Sequence, residues 1–224
     1  LFGDLFEDIP ALELGLSATA ELADRLPELA DKTFVTNSDA HSLERMAREY
    51  TVMRLAAPNF RELLLAWRRQ QGRRVEANYG VDPSLGRYHR SFCLVCEQPR
   101  VGPDAVLKCP ECGAFQRKDF VRGVFDRILE LSCLPSNPPA HRPEYILQVP
   151  LNQQTGLGMR RLNQLVAAFG NEMNVIHEAN MAQLVPLVGY QLAEQIVAAR
   201  SGQVTMQASA GGRYGKLMGV AAAH

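Results

Sequence analysis

Hydrophobic and polar positions follow two different periods in the first third of the chain. Residues 11–16 and 33–36 show the two-residue alternation of strands, whereas the apolar positions between them recur with helical spacing after Ser17, a residue type that caps helices. This pattern predicts a βαβ unit. A helix beginning near Ser42, a strand over residues 51–53 and a helix over residues 60–74 follow. Such alternation is typical of a parallel sheet or barrel.

Changes in composition divide the rest of the chain. Glycine, proline and aspartate are frequent over residues 78–86, which predicts a linker, and the prolines of residues 134–139 exclude helix and sheet interior alike. Residues 158–200 have a helical pattern with glycine interruptions, which indicates several short helices packed together. We therefore predict three domains, over residues 1–78, 79–134 and 135–224.

Composition and charge narrow the function classes. Of the 224 residues, 46% are hydrophobic, but no apolar run approaches the ~18 residues that a membrane span needs. The first residues lack both an initiator Met and a secretion signal, so we expect a cytoplasmic protein, no membrane partner, and a further segment upstream.

Residues 1–50 carry 11 acidic and 4 basic side chains, and the remainder carries 13 acidic and 20 basic ones. The acidic first part suits the binding of a cation, and the basic remainder suits the binding of a polyanion. Charged side chains that simply face solvent are the alternative explanation for both.

The clearest motif is a set of four cysteines, Cys93-x2-Cys96-x12-Cys109-x2-Cys112. Each pair presents two thiolates to one point, and two pairs complete a tetrahedron around Zn²⁺. Because protein sulfur fills all four positions, we predict a structural zinc. Two reduced or disulfide-linked pairs without metal are the alternative. Cys133 lies outside the motif and is expected to be a buried thiol.

Asp39 and His41 follow directly after the strand predicted over residues 33–36. At the carboxyl end of a parallel strand they lie on the face where active sites of such folds are built. A carboxylate and an imidazole together suit Zn²⁺, Mn²⁺ or Fe²⁺. The alternative is that Asp39 caps the helix near Ser42 and that His41 is a surface residue.

A glycine-containing loop precedes the helical pattern at residue 158. Gly156 and Gly158 let the backbone approach a phosphate, the unpaired amides of the following helix point at the anion, and Arg160 and Arg161 add positive charge. A helix-hairpin-helix grips a duplex backbone in this way, and a similar segment recurs near Gly189. The alternative is a glycine that merely ends one helix and joins it to the next.

Taken in order, these motifs resemble one family, endonuclease Q, a metal-dependent DNA repair nuclease with a PHP (polymerase and histidinol phosphatase) domain. The resemblance covers nearly the whole chain and corresponds to the C-terminal half of the family. Besides the four cysteines, the segments that carry it are residues 13–17 (ELGLS), 38–41 (SDAH), 86–89 (GRYH), 169–170 (FG) and 212–216 (GRYGK).

The resemblance implies a multi-domain α/β plus α architecture. Its parts would be the C-terminal strands of a PHP-type (β/α) barrel, a four-cysteine zinc knuckle, and a helical domain of helix-hairpin-helix type. In the barrel part Asp39 and His41 would bind catalytic Zn²⁺, Mn²⁺ or Mg²⁺. Glu13 would be a third ligand or a carboxylate hydrogen-bonded within the loop face.

The implied activity is incision of DNA on the 5′ side of deaminated bases (uracil, hypoxanthine, xanthine) and of abasic sites. Damaged double- or single-stranded DNA, an upstream PHP segment and repair or replication clamp proteins would be the partners. The His-x-His pair that begins a PHP domain is absent from this sequence, so we expect the isolated chain to be inactive. Two alternatives stay open: a non-catalytic DNA-binding module, and a PHP-type phosphoesterase acting on small phosphate monoesters.

Overall fold

The computed structural model describes residues 3–86, 88–99, 102–132, 134–207 and 216–221. Its first elements are β1 (Ala11–Glu13), α1 (Ala20–Ala23) and β2 (Thr33–Val35). Strands β1 and β2 pair in parallel, which confirms the predicted βαβ unit. The helix is shorter than expected and Ser17 does not cap it: the Oγ1 atom of Thr19 accepts the Leu22 N–H at 3.1 Å. The Phe34 side chain is fully buried in the core of this unit.

A second, three-stranded sheet packs against this unit. Its elements in chain order are β3 (Tyr50–Arg54), α2 (Phe60–Trp67), β4 (Arg74–Val81) and, much later in the chain, β8 (Glu144–Gln148). The sheet is mixed, because β4 pairs antiparallel with β3 and parallel with β8. Helix α2 ends before the predicted residue 74 because Arg69 and Gln71 adopt left-handed backbone conformations.

Two sequence predictions in this region are wrong. Residues 78–86 are not a linker, since Asn78 lies in the middle strand and is fully buried, and Leu85 is buried in a short 3₁₀ turn. The helix predicted near Ser42 is only a 3₁₀ turn, Leu43–Arg45. The three-domain division stays a prediction; the boundary at residue 78 falls within β4, and β8 joins the same sheet from residues assigned to the third domain.

Arg142, which precedes β8, is held by the first part of the chain. Its guanidinium forms an ion pair with Asp24 at 2.6 Å, donates to the Lys32 carbonyl at 2.6 Å, and lies 3.6 Å from the centroid of the Phe34 ring. Both charged side chains are almost completely buried. This contact fixes β8 against the βαβ unit.

The cysteine-containing segment forms a small unit of its own. It contains β5 (Phe92–Cys93), β6 (Gln98–Pro99), β7 (Phe120–Val121) and α3 (Val124–Leu131). Strand β5 pairs antiparallel with both of the others. Its buried residues are Cys93, Cys109 and Phe120, so the cysteines themselves make much of this core.

Four short helices follow, as predicted: α4 (Met159–Phe169), α5 (Glu172–His177), α6 (Met181–Val188) and α7 (Tyr190–Arg200). Gly170 and Gly189 end two of them with positive φ angles of 86° and 82°. The helices share one hydrophobic core around Leu165, Leu184 and Ile196. No helix among the described residues is long and apolar enough to cross a membrane.

A hairpin of β9 (Val204–Gln207) and β10 (Lys216–Val220) closes the described chain. Leu217 of β10 is fully buried in a cluster with Val81, Leu85 and Ala199. The hairpin therefore joins the helices to the end of β4.

Candidate functional site

The four cysteines converge as their spacing predicts. All four Sγ atoms lie within 4.8 Å of one another, with Cys93 Sγ 3.5 Å from Cys112 Sγ and Cys96 Sγ 3.7 Å from Cys109 Sγ. These distances are far longer than the ~2.05 Å of a disulfide. They match the separation of about 3.8 Å between sulfurs in a tetrahedral site with bonds of ~2.3 Å to Zn²⁺. The cluster could therefore hold a metal ion.

Local backbone geometry brings each pair together. The N–H of Cys96 points at Cys93 Sγ at 3.4 Å, and the N–H of Gly113 donates to the Cys109 carbonyl at 2.9 Å. Burial acts to raise the pKa of Cys109, but hydrogen bonds from the backbone N–H groups of Cys112 and Glu111 and from the thiols of Cys112 and Cys93 together lower that pKa to about 6. Cys109 is thus prepared to act as a thiolate ligand.

A buried aspartate attaches the cysteine unit to α3. Asp126 is fully buried, and its carboxylate accepts the N–H of Ser91 at 2.7 Å and the N–H of Val106 at 2.9 Å. Arg90 completes the site as an ion-pair partner 3.2 Å from Asp126 Oδ1. One carboxylate therefore holds the two segments that lead into the two cysteine pairs. The sequence analysis did not identify this residue.

Asp39 and His41 lie in the loop after β2 and border one cleft of about 210 Å³. The Asp39 carbonyl is 2.7 Å from His41 Nδ1, an arrangement in which Nδ1–H donates to the carbonyl and Nε2 is the ring nitrogen left for another partner. Such a backbone hydrogen bond commonly orients a histidine toward a metal. The helix-cap alternative for Asp39 finds no support, because the N-cap position of the following turn is Ser42. The cleft also has apolar and polar walls, made by Leu16, Ser17, Ser38, Arg45, Arg48, Val81, Leu85, Gly86, Tyr88 and Gln153.

Glu13 is the exposed last residue of β1 and pairs with Val35 of β2. Both strand ends therefore lie at the edge that carries Asp39 and His41. In this structure the three side chains do not form a compact cluster: among the described residues, the cysteines make the only group of three or more potential metal ligands.

Glu49, just before β3, is an acidic residue that the sequence analysis missed. Its side chain is buried, and Oε1 accepts the N–H of Val81 at 2.7 Å. Burial raises the pKa of Glu49 to about 7, the Val81 hydrogen bond and the Arg48 charge oppose this rise, and the Glu13 charge adds to it. Glu49 thus contacts the backbone of Val81, a residue that lines the cleft.

The predicted DNA-contacting loop precedes α4. Gly156 has a φ of 85°, a left-handed conformation that favours glycine, and Gly158 occupies the N-cap position without a side-chain cap hydrogen bond. Arg160 and Arg161 are exposed on the first turn of the helix. The N-terminus of α4 is therefore open to solvent and flanked by positive charge. Other predicted positions, namely Arg87, Cys133 and residues 212–215, lie outside the described residues.

These features define a class: a mixed α/β protein in which a sheet edge with acidic and histidine side chains adjoins a four-cysteine unit and a helical bundle. Two solved structures are similar to this chain in fold. One is the lesion-specific endonuclease PfuEndoQ from Pyrococcus furiosus, with 29% identity and a TM-score of 0.73 over 95% of this chain and 58% of that one. The other is endonuclease Q in complex with a 27-mer duplex substrate that has an abasic lesion at the active site, with 31% identity and a TM-score of 0.77 over 92% of this chain and 55% of that one. The chain has an endonuclease Q-like fold.

Two uncharacterized proteins are similar in sequence. YqxK of Bacillus subtilis (strain 168) is 41% identical over 93% of this chain and 52% of its own length. MJ0043 of Methanocaldococcus jannaschii is 33% identical over 92% of this chain and 28% of its own length. The chain thus spans about half, or less, of the curated relatives it matches. No protein-family model matches the sequence.

Proposed function

We propose that this chain is part of a metal-dependent DNA repair nuclease that incises DNA on the 5′ side of deaminated bases and abasic sites. The observation that carries the proposal is the common cleft of Asp39 and His41, in a fold similar to an endonuclease Q that holds an abasic duplex. The β1–β2 unit then corresponds to the last strands of a PHP-type barrel. The four cysteines take a structural zinc that stabilises the unit beside it.

Asp39 and His41 bind one catalytic cation, Mn²⁺, Mg²⁺ or Zn²⁺, with Glu13 at the end of the adjacent strand as a further carboxylate. Their chemistry fits: the His41 Nδ1 contact with the Asp39 carbonyl leaves Nε2 for the metal. When bound, such a cation lowers the pKa of a water molecule and neutralises charge on the phosphate. The protein side chains fix its position next to the cleft.

The cleft accepts the damaged nucleotide outside the duplex. Leu16 offers apolar surface, Tyr88 offers a half-exposed ring, and Ser17 and Gln153 offer hydrogen-bonding groups. Removing a base from the stack requires least energy where the base is damaged or mismatched, which favours lesions over normal pairs. The cleft and the cation thus act on neighbouring parts of one nucleotide.

Gly156, Gly158, Arg160 and Arg161 hold the undamaged backbone in the manner of a helix-hairpin-helix. The free amides at the start of α4 face a phosphate, and both arginines contribute charge without contacting bases. Binding of this kind is independent of sequence, as a scanning repair enzyme requires.

A nicking assay tests the proposal. Residues 1–224 alone should not cut end-labelled duplexes containing uracil, hypoxanthine or an abasic site in Mn²⁺ or Mg²⁺. The same chain joined to a PHP segment with a His-x-His pair should nick 5′ to the lesion. In that longer protein Asp39→Ala should abolish cutting and leave zinc content and DNA affinity nearly intact. Cutting by the short chain would mean that the site is complete without a His-x-His pair, and full activity of Asp39→Ala would refute the metal role of that carboxylate.

A non-catalytic DNA-binding module is the second candidate function. It is favoured by the absence, among the described residues, of a second compact group of metal ligands beside the cysteines. DNA binding without nicking by the longer protein would support it. Hydrolysis of small phosphate monoesters with no action on lesions would instead support a phosphoesterase.

A further inference from the structure

A second cavity lies at the end of the sheet opposite to the cleft. It has a volume of about 470 Å³, and its walls include Thr33, Arg74 and Glu144, the first residues of β2, β4 and β8. Val81, the last residue of β4, lines the cleft instead. Because the 8 residues of β4 span about 23 Å, the second cavity is separate from the cleft.

The lining of the second cavity is mainly cationic. Beside two carboxylates, those of Glu76 and Glu144, it contains four guanidinium groups and one imidazole, which belong to Arg69, Arg73, Arg74, Arg142 and His141. Glu76 is shared by two arginines, Arg54 at 2.5 Å and Arg74 at 3.2 Å. One carboxylate cannot neutralise both of these charges.

Two of the four guanidinium groups are already paired with carboxylates outside the lining. Glu62 lies 2.7 Å from Arg73, and Asp24 lies 2.6 Å from Arg142. These two arginines therefore build the wall of the cavity, and a ligand would depend on the remaining cationic groups.

Arg69 is the arginine of this lining whose charge is held only by neutral groups. Its Nη1 atom donates to Thr33 Oγ1 at 2.6 Å, and its Nη2 atom donates to the Asp31 carbonyl at 3.1 Å. Among the residues that the structure describes, no carboxylate lies within ion-pairing distance of Arg69. The guanidinium is thus fixed in position while its charge remains available to an anion.

The turn between α2 and β4 has an unusual backbone. Arg69, Gln71 and Gly72 have φ angles of 54°, 52° and 75°. Such left-handed conformations are unfavourable for residues other than glycine, and they are found preferentially where a ligand is bound. Here the turn brings Arg69 and Arg74 to the same cavity.

The imidazole of His141 is in surroundings with an excess of positive charge. Burial lowers its pKa, the charges of Arg69 and Arg142 lower it further, and the charge of Asp31 does not compensate for them. An anion in the second cavity would relieve this repulsion.

We propose that the second cavity is a phosphate-binding site, with Arg69 as its principal ligand and Arg74 and His141 as further donors. A guanidinium is planar and matches two phosphate oxygens at once, which makes arginine a preferred residue for this anion. The volume lies in the range of small-molecule pockets. Free molecules and the nucleic-acid backbone both carry phosphate groups, and the experiment separates these two sources. The inference does not depend on a cation at Asp39 and His41.

Titration of the zinc-loaded chain with inorganic phosphate at constant pH and ionic strength tests the proposal. The proton NMR signals of the His141 ring report on the cavity; the chain has 5 histidines, and His141→Gln identifies the signals. Wild type is compared with Arg69→Gln, Arg74→Gln and, as a control, Arg68→Gln, an exposed neighbour that does not line the cavity. We expect a saturable shift in wild type, affinity about tenfold lower in Arg69→Gln, a smaller loss in Arg74→Gln, and no change in the control.

A second titration with an undamaged duplex distinguishes the sources of phosphate. A shift of the His141 signals by the duplex that Arg69→Gln removes would assign the site to the nucleic-acid backbone. A response to inorganic phosphate and none to the duplex would assign it to a free phosphate-bearing molecule. Absence of a saturable shift with either ligand would overturn the proposal, as would equal weakening by Arg68→Gln and Arg69→Gln. Melting temperatures show that each variant is folded, and Arg74, with a side chain 48% exposed, provides a second test if Arg69→Gln is unstable.

Discussion

Replacement of Glu49 by glutamine should stabilise the metal-free protein in a pH-dependent way. In the unfolded chain this carboxyl ionises near 4.5, whereas burial raises its pKa in the folded protein to about 7. Between these two pKa values the folded state retains a proton that the unfolded state has lost, so the free energy of unfolding falls as pH rises. This fall in stability is complete above about pH 7. This pKa shift corresponds to a loss of at most about 3 kcal/mol in the free energy of unfolding. Glutamine stays neutral at every pH and avoids this loss.

The assay is chemical denaturation of wild type and Glu49→Gln at several pH values, without added divalent cations. Taking the difference between the two proteins removes the contribution of every other titrating group. We expect similar free energies of unfolding near pH 4.5 and a gain for the variant that grows to about 3 kcal/mol near pH 8, or roughly 5–10 °C in melting temperature. A difference that is constant with pH, or that shrinks as pH rises, would refute the account of a buried, mainly protonated carboxyl.

Three further predictions concern the other parts of the molecule. Elemental analysis of protein purified without added metal should find about one zinc per chain, and Cys109→Ser should release it and lower the melting temperature; a well-folded, zinc-free preparation would contradict the site. Asp126→Asn should lower the free energy of unfolding by about 3 kcal/mol, because Arg90 loses its buried counter-charge; a loss below 1 kcal/mol in urea denaturation would show that the contact is dispensable. The double variant Arg160→Ala and Arg161→Ala should weaken binding to all duplexes alike and lower the slope of log affinity against log salt concentration by about 0.9 per lost phosphate contact. Unchanged affinity at low salt, measured by fluorescence anisotropy, would contradict the phosphate-binding role of the two arginines.

The structural elements that the sequence predicts well are those determined by residues that are neighbours in the chain. The cysteine spacing defines its own geometry, and Gly170 and Gly189 end helices because they adopt conformations that other residues avoid. The position of Asp39 and His41 after β2 also follows from neighbouring residues, and their role as metal ligands stays a prediction. In each case the residues that determine the structure are neighbours in the chain.

The elements that sequence misses depend on contacts between distant residues. Residues 78–80 look like part of a linker, yet the Asn78 side chain in β4 donates to the carbonyl of Phe34 in the other sheet at 2.9 Å. Gly80 is required because a Cβ atom there would lie 2.0 Å from the hydroxyl oxygen of Tyr145. Glu49 was overlooked for the same reason: it precedes a strand like any solvated glutamate, and its burial depends on Val81, 32 positions along the chain.

The contacts between the cleft and the cysteine unit would give a metal bound at the cysteines a wider role in this fold. Tyr88 lines the cleft, and its carbonyl accepts the Val124 N–H of α3 at 2.9 Å. The same short segment continues to Cys93, the first of the four cysteines. Gly123 allows its close packing because a Cβ there would lie 2.3 Å from the backbone of Arg90. A bound metal at the cysteines restrains one end of this segment and α3 restrains the other. Removing the metal should therefore loosen one wall of the cleft as well as the cysteine unit itself, although Asp39 and His41 stay in the loop after β2.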